Sequence, residues 1–198
     1  MAAMIAGCAS AAGSTGPATA AGAASPASSA SPSSASPSAP ANSAASGRPA
    51  SAGVPLCRTA DLKVTKGTMG AAAGSVYMQI DFTNTSGAAC TLYGYPGIAL
   101  TTSTTTASQV GPAATRSTGQ PYRPVTLAPQ ASASATLHLV RVVNYPAARC
   151  GPVSGSFLQV YPPGQKDAVY LPYQGQTCAK PVFAMGIGAV QPGTAPGH

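Results

Sequence analysis

The chemistry open to this chain is narrow: among 198 residues there are five cysteines, two histidines, three aspartates and no glutamate. General acid and base work needs two carboxylates, or a histidine with a partner in reach. Asp61, Asp81 and Asp167 stand singly along the chain, and His138 is the only interior histidine. A serine nucleophile would need that histidine and an acid, and no Gly-x-Ser-x-Gly elbow occurs. No glycine-rich phosphate loop precedes a helical pattern. The expectation is a protein without a catalytic site and without cofactors, the rivals being an envelope hydrolase or transferase that uses His138 with a tyrosine or an aspartate, and a purely structural surface domain with no ligand.

The cysteines carry more information. Cys57, Cys90, Cys150 and Cys178 lack the close Cys-x-x-Cys pairs of zinc sites, and only His138 and His198 are present to complete a cluster, which argues against metal. As an even set they suit two disulfides. Of the three connectivities, Cys57 with Cys90 and Cys150 with Cys178 is favoured, because each pair brackets a strand or hairpin and no loops cross. Closing loops of that length contributes roughly 3 to 4 kcal/mol each in the chain-entropy model, and such bonds persist only outside a reducing cytosol.

The fifth cysteine, Cys8, ends the run Met4-Ile5-Ala6-Gly7-Cys8. This resembles the bacterial lipoprotein box, in which an aliphatic residue and two small ones precede the cysteine that receives a diacylglyceryl lipid. Small residues suit a chain that must lie extended in a peptidase cleft. Seven residues before Cys8 are too few for a basic stretch and an apolar run, so the reading expects residues 1–8 to be the remnant of a signal peptide with its start upstream. The implied partner is a membrane, and the location its outer face or, failing the lipid, the medium.

Residues 9–53 are Ala, Ser, Pro, Gly and Thr except for Asn42 and Arg48. Such a segment cannot bury enough apolar surface to offset the entropy lost on ordering. It reads as a spacer, disordered and averaging roughly 40 Å end to end, with Ser and Thr beside Pro as candidates for O-glycosylation. The Val, Ile, Leu, Phe and Tyr needed for a core lie in residues 54–198, which therefore form the single folded domain.

Strand patterns position the remaining side chains. Val76, Met78, Ile80 and Phe82 alternate with Tyr77, Gln79 and Asp81, which makes 76–82 a half-buried strand. Asn84-Thr85-Ser86-Gly87 follows as a turn, which accounts for the apparent glycosylation acceptor. Residues 90–93 lead through Gly94-Tyr95-Pro96-Gly97 into 98–100, a bent strand with its partner at 101–106 or at Gln109-Val110. Residues 125–127 form a short strand and 131–143 a longer one, with Ala133, Ala135, Leu137, Leu139 and Arg141 on one side and His138 on the other, in solvent. Residues 157–161, 169–173 and 182–190 complete the set, with 162–167 as a hairpin loop. Seven to nine short strands separated by Gly and Pro turns, with no 3.6-residue period, predict an all-β antiparallel β-sandwich.

The net charge of +7 arises from cations scattered singly, without a helix or an RNA-binding signature. Nucleic acid is therefore not an expected partner, whereas an anionic wall polymer or an envelope protein is. Tyr93, Tyr95, Tyr122, Tyr145, Tyr161, Tyr170 and Tyr173 supply flat amphipathic surface. Cores also consume tyrosines, so proximity to arginine is the criterion for a binding role. Tyr93, Tyr95 and Tyr145, with Arg141 and Arg149, are the candidate binding residues.

The order of features resembles a known family. A first cysteine and polar strand over 57–64, the 76–82 strand before Asn84-Thr85-Ser86, the segment Cys90-Thr91-Leu92-Tyr93-Gly94-Tyr95-Pro96-Gly97-Ile98-Ala99-Leu100, then Val125-Thr126-Leu127-Ala128-Pro129 and the late Cys150 and Cys178 are similar to the domain of unknown function 4232. The likeness covers about residues 55–190. It implies an immunoglobulin-like sandwich in secreted and lipid-anchored proteins of high-GC Gram-positive bacteria, and it brings no established activity. Gln130 departs from the pattern, standing where the turn after Ala-Pro usually has glycine.

Overall fold

A computed structural model describes residues 53–119 and 121–194. Cys8, its motif, residues 9–52 of the spacer and His198 lie outside the described residues. Within them the chain is an all-β sandwich.

Its first element pair is a hairpin, β1 (Leu62–Ala72) with β2 (Ser75–Asn84). Ala73 and Gly74 close it as a two-residue turn with φ of 43° and 77°, the mirror-image geometry whose twist matches that of the flanking strands. Next come β3 (Cys90–Leu92), β4 (Gly97–Thr101), β5 (Gln109–Val110), β6 (Thr115–Arg116), β7 (Val125–Leu127) and β8 (Ser132–Val140). A single helical turn, α1 (Ala147–Cys150), precedes the hairpin of β9 (Pro152–Tyr161) and β10 (Val169–Cys178), and β11 (Met185–Ile187) and β12 (Gln191–Pro192) end the fold. One sheet runs β1-β2-β8-β11-β6, with β12 also on β8; the opposing sheet runs β10-β9-β4-β5, and β3 pairs with β7. The expected pairing is antiparallel throughout, and the ladder of β11 with β6 corrects this, being parallel.

Alternation along β2 and β8 builds the core between the layers. Met78, Ile80 and Phe82 from β2, with Ala133, Ala135, Leu137 and Leu139 from β8, face Ile98 and Leu100 of β4 and Leu158 and Val160 of β9. Fully burying one such large side chain contributes about 1.5–3 kcal/mol, so this face sets the register of both strands. The expected partner of 98–100 resolves to Gln109-Val110, and β9 pairs along the other edge. Cys57 is bonded to Cys90 and Cys150 to Cys178, the favoured connectivity. The second bond lies in a small separate cluster with Val142 and Ala184, against which Tyr145 packs.

Three boundaries differ from expectation. The polar strand expected over 57–64 starts at Leu62 and continues to Ala72, across a register break between Lys66 and Met69. After Val64 the strand is largely exposed, so main-chain pairing holds it and no apolar period marks it. Arg141 does not share the leucine face: β8 ends at Val140, Arg141 is exposed, and its N–H donates to the Gly74 carbonyl at 2.9 Å. The strand expected over 182–190 is reduced to Met185–Ile187, because the Val190 N–H leaves β8 and donates to the Gly94 carbonyl at 2.9 Å.

Asn84 ties these pieces together. Fully buried at the end of β2, its Nδ2 donates to the carbonyls of Ala88, Leu127 and Ala128 at 2.8, 3.1 and 3.3 Å, and its Oδ1 accepts from the Ser86 N–H and hydroxyl. The turn expected at 84–87 is thus held by the asparagine's own amide. Across from it Gln130 adopts φ of 64° and donates its N–H to the Asn84 carbonyl, the left-handed conformation that glycine adopts most readily.

Candidate functional site

The alternation that buries Met78 and Ile80 turns Tyr77, Gln79 and Asp81 to the opposite face of the same sheet. There they meet His138, Thr136 and Ser134 of β8 in register. Tyr77 and His138 stack, with ring centroids 4.6 Å apart and planes within 5°. Phe183 stands beyond His138 at 5.6 Å. A Cβ on Gly186 would come within 3.0 Å of the Phe183 ring and 3.1 Å of the Ser117 hydroxyl, so the bare glycine lets both lie over β11. The row crosses three strands, and it is open: Tyr77 is 41% and Phe183 47% exposed.

Beside the aromatic row lies a trough of about 410 Å³, within the usual size of small-ligand sites. Gln79, Ser134, Thr136 and Gln191 line it with the Tyr77 and His138 rings, and Ser117 closes the far wall. Gln79 and Thr136 hydrogen-bond each other at 3.0 Å, which holds the amide flat on the sheet. On the other side of Tyr77 a second depression of about 340 Å³ lies over β1, lined by Thr68, Met69, Gly70, Ala71, Ala72 and again Gln79. Among the described residues no Lys, Arg or Asp side chain lines either. Asp81, farther along β2, has a buried Oδ1 without a hydrogen-bond partner among the described residues, and burial raises its carboxyl above the ordinary value.

His138 is not freely in solvent as expected but half-buried, and its Nε2 lies 2.9 Å from the Ser75 hydroxyl. That is the spacing of a nucleophile and its base. Its other ring nitrogen has no hydrogen-bond partner among the described residues, and Asp81 is six positions from Ser75 along an extended strand, so this pair lacks the orienting acid of a triad. Among the described residues no three His, Cys or Asp side chains converge as metal ligands.

The structure divides the candidate binding residues into two places. Tyr93 and Tyr95 come together with Tyr122, whose ring centroid is 5.1 Å from the first and 5.0 Å from the second, and the Arg116 guanidinium lies 5.8 Å over the Tyr95 ring. Tyr93 is 51% exposed. The arginine in contact is thus Arg116, not Arg141 or Arg149. The segment carrying Arg116 and Tyr122 also lends Ser117 and Gly119 to the trough, so one short stretch serves both surfaces. Tyr145 instead donates its hydroxyl to the Phe183 carbonyl at 2.7 Å and packs by the second disulfide, a structural use that places the Phe183 loop. Arg141 borders a separate shallow groove with Tyr173, and Arg149 is exposed on α1. Tyr161 and Tyr170 accept from the buried Gln159 amide, and burial raises the Tyr173 hydroxyl above its ordinary value.

Tyr77 is the residue that sequence reasoning passed over. Its place opposite the core face was legible, but its openness depends on the glycine that pairing sets beside it.

A family model described as a domain of unknown function, DUF4232, matches residues 57–191. The chain belongs to the DUF4232 family. The matched span runs from the first disulfide cysteine to the end of the trough, so this DUF4232 domain contains the sandwich, both disulfides and both aromatic surfaces. A comparison with curated proteins finds no match. Two disulfides in this DUF4232 domain point to an oxidising or extracellular location. Among the described residues no helix is long and apolar enough to cross a membrane.

Proposed function

We propose that this protein is a non-enzymatic cell-envelope lipoprotein whose sandwich binds a wall polymer or an envelope protein, held at the outer face of the membrane by a lipid on Cys8. The observation that carries the proposal is the open face of the β1-β2-β8-β11-β6 sheet, where exposed aromatic rings border an uncharged trough of about 410 Å³. Concave, mostly neutral sites with a few converging polar groups are what ligand recognition uses. The Arg116 and tyrosine cluster adds a cation beside stacking surfaces, suited to an anionic polymer. The signal remnant at residues 1–8, the spacer and the two disulfides support export.

The test is sedimentation of the full chain with the insoluble envelope fraction of a high-GC Gram-positive cell. Co-sedimentation that falls when Tyr93 and Arg116 are both replaced by Ala is expected, and a protein that stays in the supernatant defeats the proposal. For the anchor, metabolic labelling with a lipid precursor should mark the protein but not its Cys8→Ser variant. One observation favours the rival hydrolase: the 2.9 Å contact of Ser75 and His138. Ester hydrolysis by the purified chain that disappears in Ser75→Ala would establish that rival in its place.

A further inference from the structure

An aromatic ring standing on a sheet is normally covered on both faces by its cross-strand neighbours. Tyr77 has such a neighbour on one side only. On β8 its partner is His138, which stacks on it; on β1 its partner is Gly70, which has no side chain to offer. The second face of the ring therefore looks into the depression of about 340 Å³ above β1, with Thr68 and Ala72 at its ends and the Gln79 amide along its side. Gly70 does not have a positive φ, so backbone conformation does not demand glycine there. Among the described residues its bareness leaves the depression open as a slot beside the ring.

We propose that this slot binds a neutral sugar ring of a wall glycan, with the C–H face of the pyranose against Tyr77 over Gly70 and its hydroxyls at Gln79 and Thr68. The inference deepens the proposed binding function and rests on it. Three features select this occupant. A single free aromatic face offers a flat, weakly negative surface to polarised C–H groups. Its polar side chains besides the Tyr77 hydroxyl are an amide and a hydroxyl, which both donate and accept, as sugar hydroxyls do, and Met69 adds apolar surface beside them. Among the described residues no Lys, Arg or Asp lines either depression, which disfavours a charged ligand, because neither sign would find a counter-ion there. Gln79 lines both depressions, so a linear glycan has a continuous path from the slot across Tyr77 into the trough of Ser134, Thr136 and Gln191.

The experiment titrates the full chain with four neutral hexasaccharides, namely cellohexaose, chitohexaose, maltohexaose and mannohexaose, with hexagalacturonate and a neutral decapeptide as charged and peptidic alternatives. Calorimetry reads affinity, and amide shifts read location. Binding of at least one neutral hexasaccharide is expected, with shifts concentrated at Thr68, Gly70, Tyr77 and Gln79. Tyr77→Ala should weaken it about tenfold, Tyr77→Phe should leave it within about threefold, and Lys166→Ala should leave it unchanged. Gly70→Val fills the slot in a strand that accepts β-branched residues, and should abolish binding while circular dichroism and melting stay those of the parent. The inference is overturned if no neutral hexasaccharide binds, if Gly70→Val binds normally, or if hexagalacturonate or the peptide is preferred. Should it fail while the chain still sediments with envelope material, only the ligand class falls; should both fail, the binding function falls with it.

Discussion

Replacing Asn84 by alanine should be among the most damaging changes that leave the core untouched. Its side chain is fully buried and makes four bonds to main-chain groups: three carbonyls, of Ala88, Leu127 and Ala128, and the Ser86 N–H. Alanine removes the amide and leaves those groups behind. Orphaning the buried Leu127 carbonyl costs about 1–3 kcal/mol, and losing each of the three part-buried bonds about 0.5–1.5, which centres the total near 5 kcal/mol. Domains of this kind are stable by about 5–15 kcal/mol, so the variant should remain folded but marginal. With a urea slope of about 2 kcal/mol/M, the midpoint should fall by about 2.5 M. Equilibrium unfolding followed by far-ultraviolet circular dichroism measures this directly. Ser86→Ala is the control, since it removes only hydroxyl bonds, donated to Asn84 Oδ1 and the Ala88 carbonyl and accepted from the Ala88 N–H, and should cost about 1 kcal/mol. A loss below about 1 kcal/mol for Asn84→Ala would show that water replaces the amide, and would refute its role as the tie between β2 and the strand before Ala128.

Three further outcomes follow from the same structure. Cys57 and Cys90 close 33 residues and Cys150 and Cys178 close 28, so replacing either pair by serine should cost about 3.5–4 kcal/mol in the chain-entropy model, read as a lowered melting temperature that reducing agent no longer changes at that bond. Burial raises the Asp81 carboxyl, so over the window from about pH 4 upward the folded state holds its proton more than the unfolded state does, and the contribution of this group to stability falls as pH rises. Asp81→Asn should therefore gain on the parent between pH 4 and 7 and match it more closely below pH 4; an identical pH profile would count against the shift. Gln130→Gly should raise stability by about 0.5–1 kcal/mol, because relief of the left-handed backbone exceeds the added freedom of the unfolded chain, and calorimetric melting would show it.

How much of this was legible follows from which interactions are local. The half-buried strand of Met78, Ile80 and Phe82 and the face of Ala133, Ala135, Leu137 and Leu139 were legible because period-two alternation is written residue by residue. The disulfide pairing was legible because neighbouring pairs close the shortest uncrossed loops. By contrast, the length of β1 was hidden: after Val64 its pairing is main-chain hydrogen bonding, to which Thr65, Lys66 and Gly67 add no pattern. The arginine that joins the tyrosines was misassigned for a related reason. Arg141 and Arg149 stand near Tyr145 in the chain, but Arg116 reaches Tyr95 only because β6 lies beside β11, whose following loop reaches Gly94.

The sequence by itself determined an all-β domain with two disulfides, a membership in the DUF4232 family, and the sorting of Tyr77, Gln79 and Asp81 away from the core. Tertiary structure alone decided that Tyr77 faces His138 on one side and the bare Gly70 on the other. Alternation says which face a side chain takes, but only the register of three strands says what stands next to it, and an open ring is a property of its neighbours.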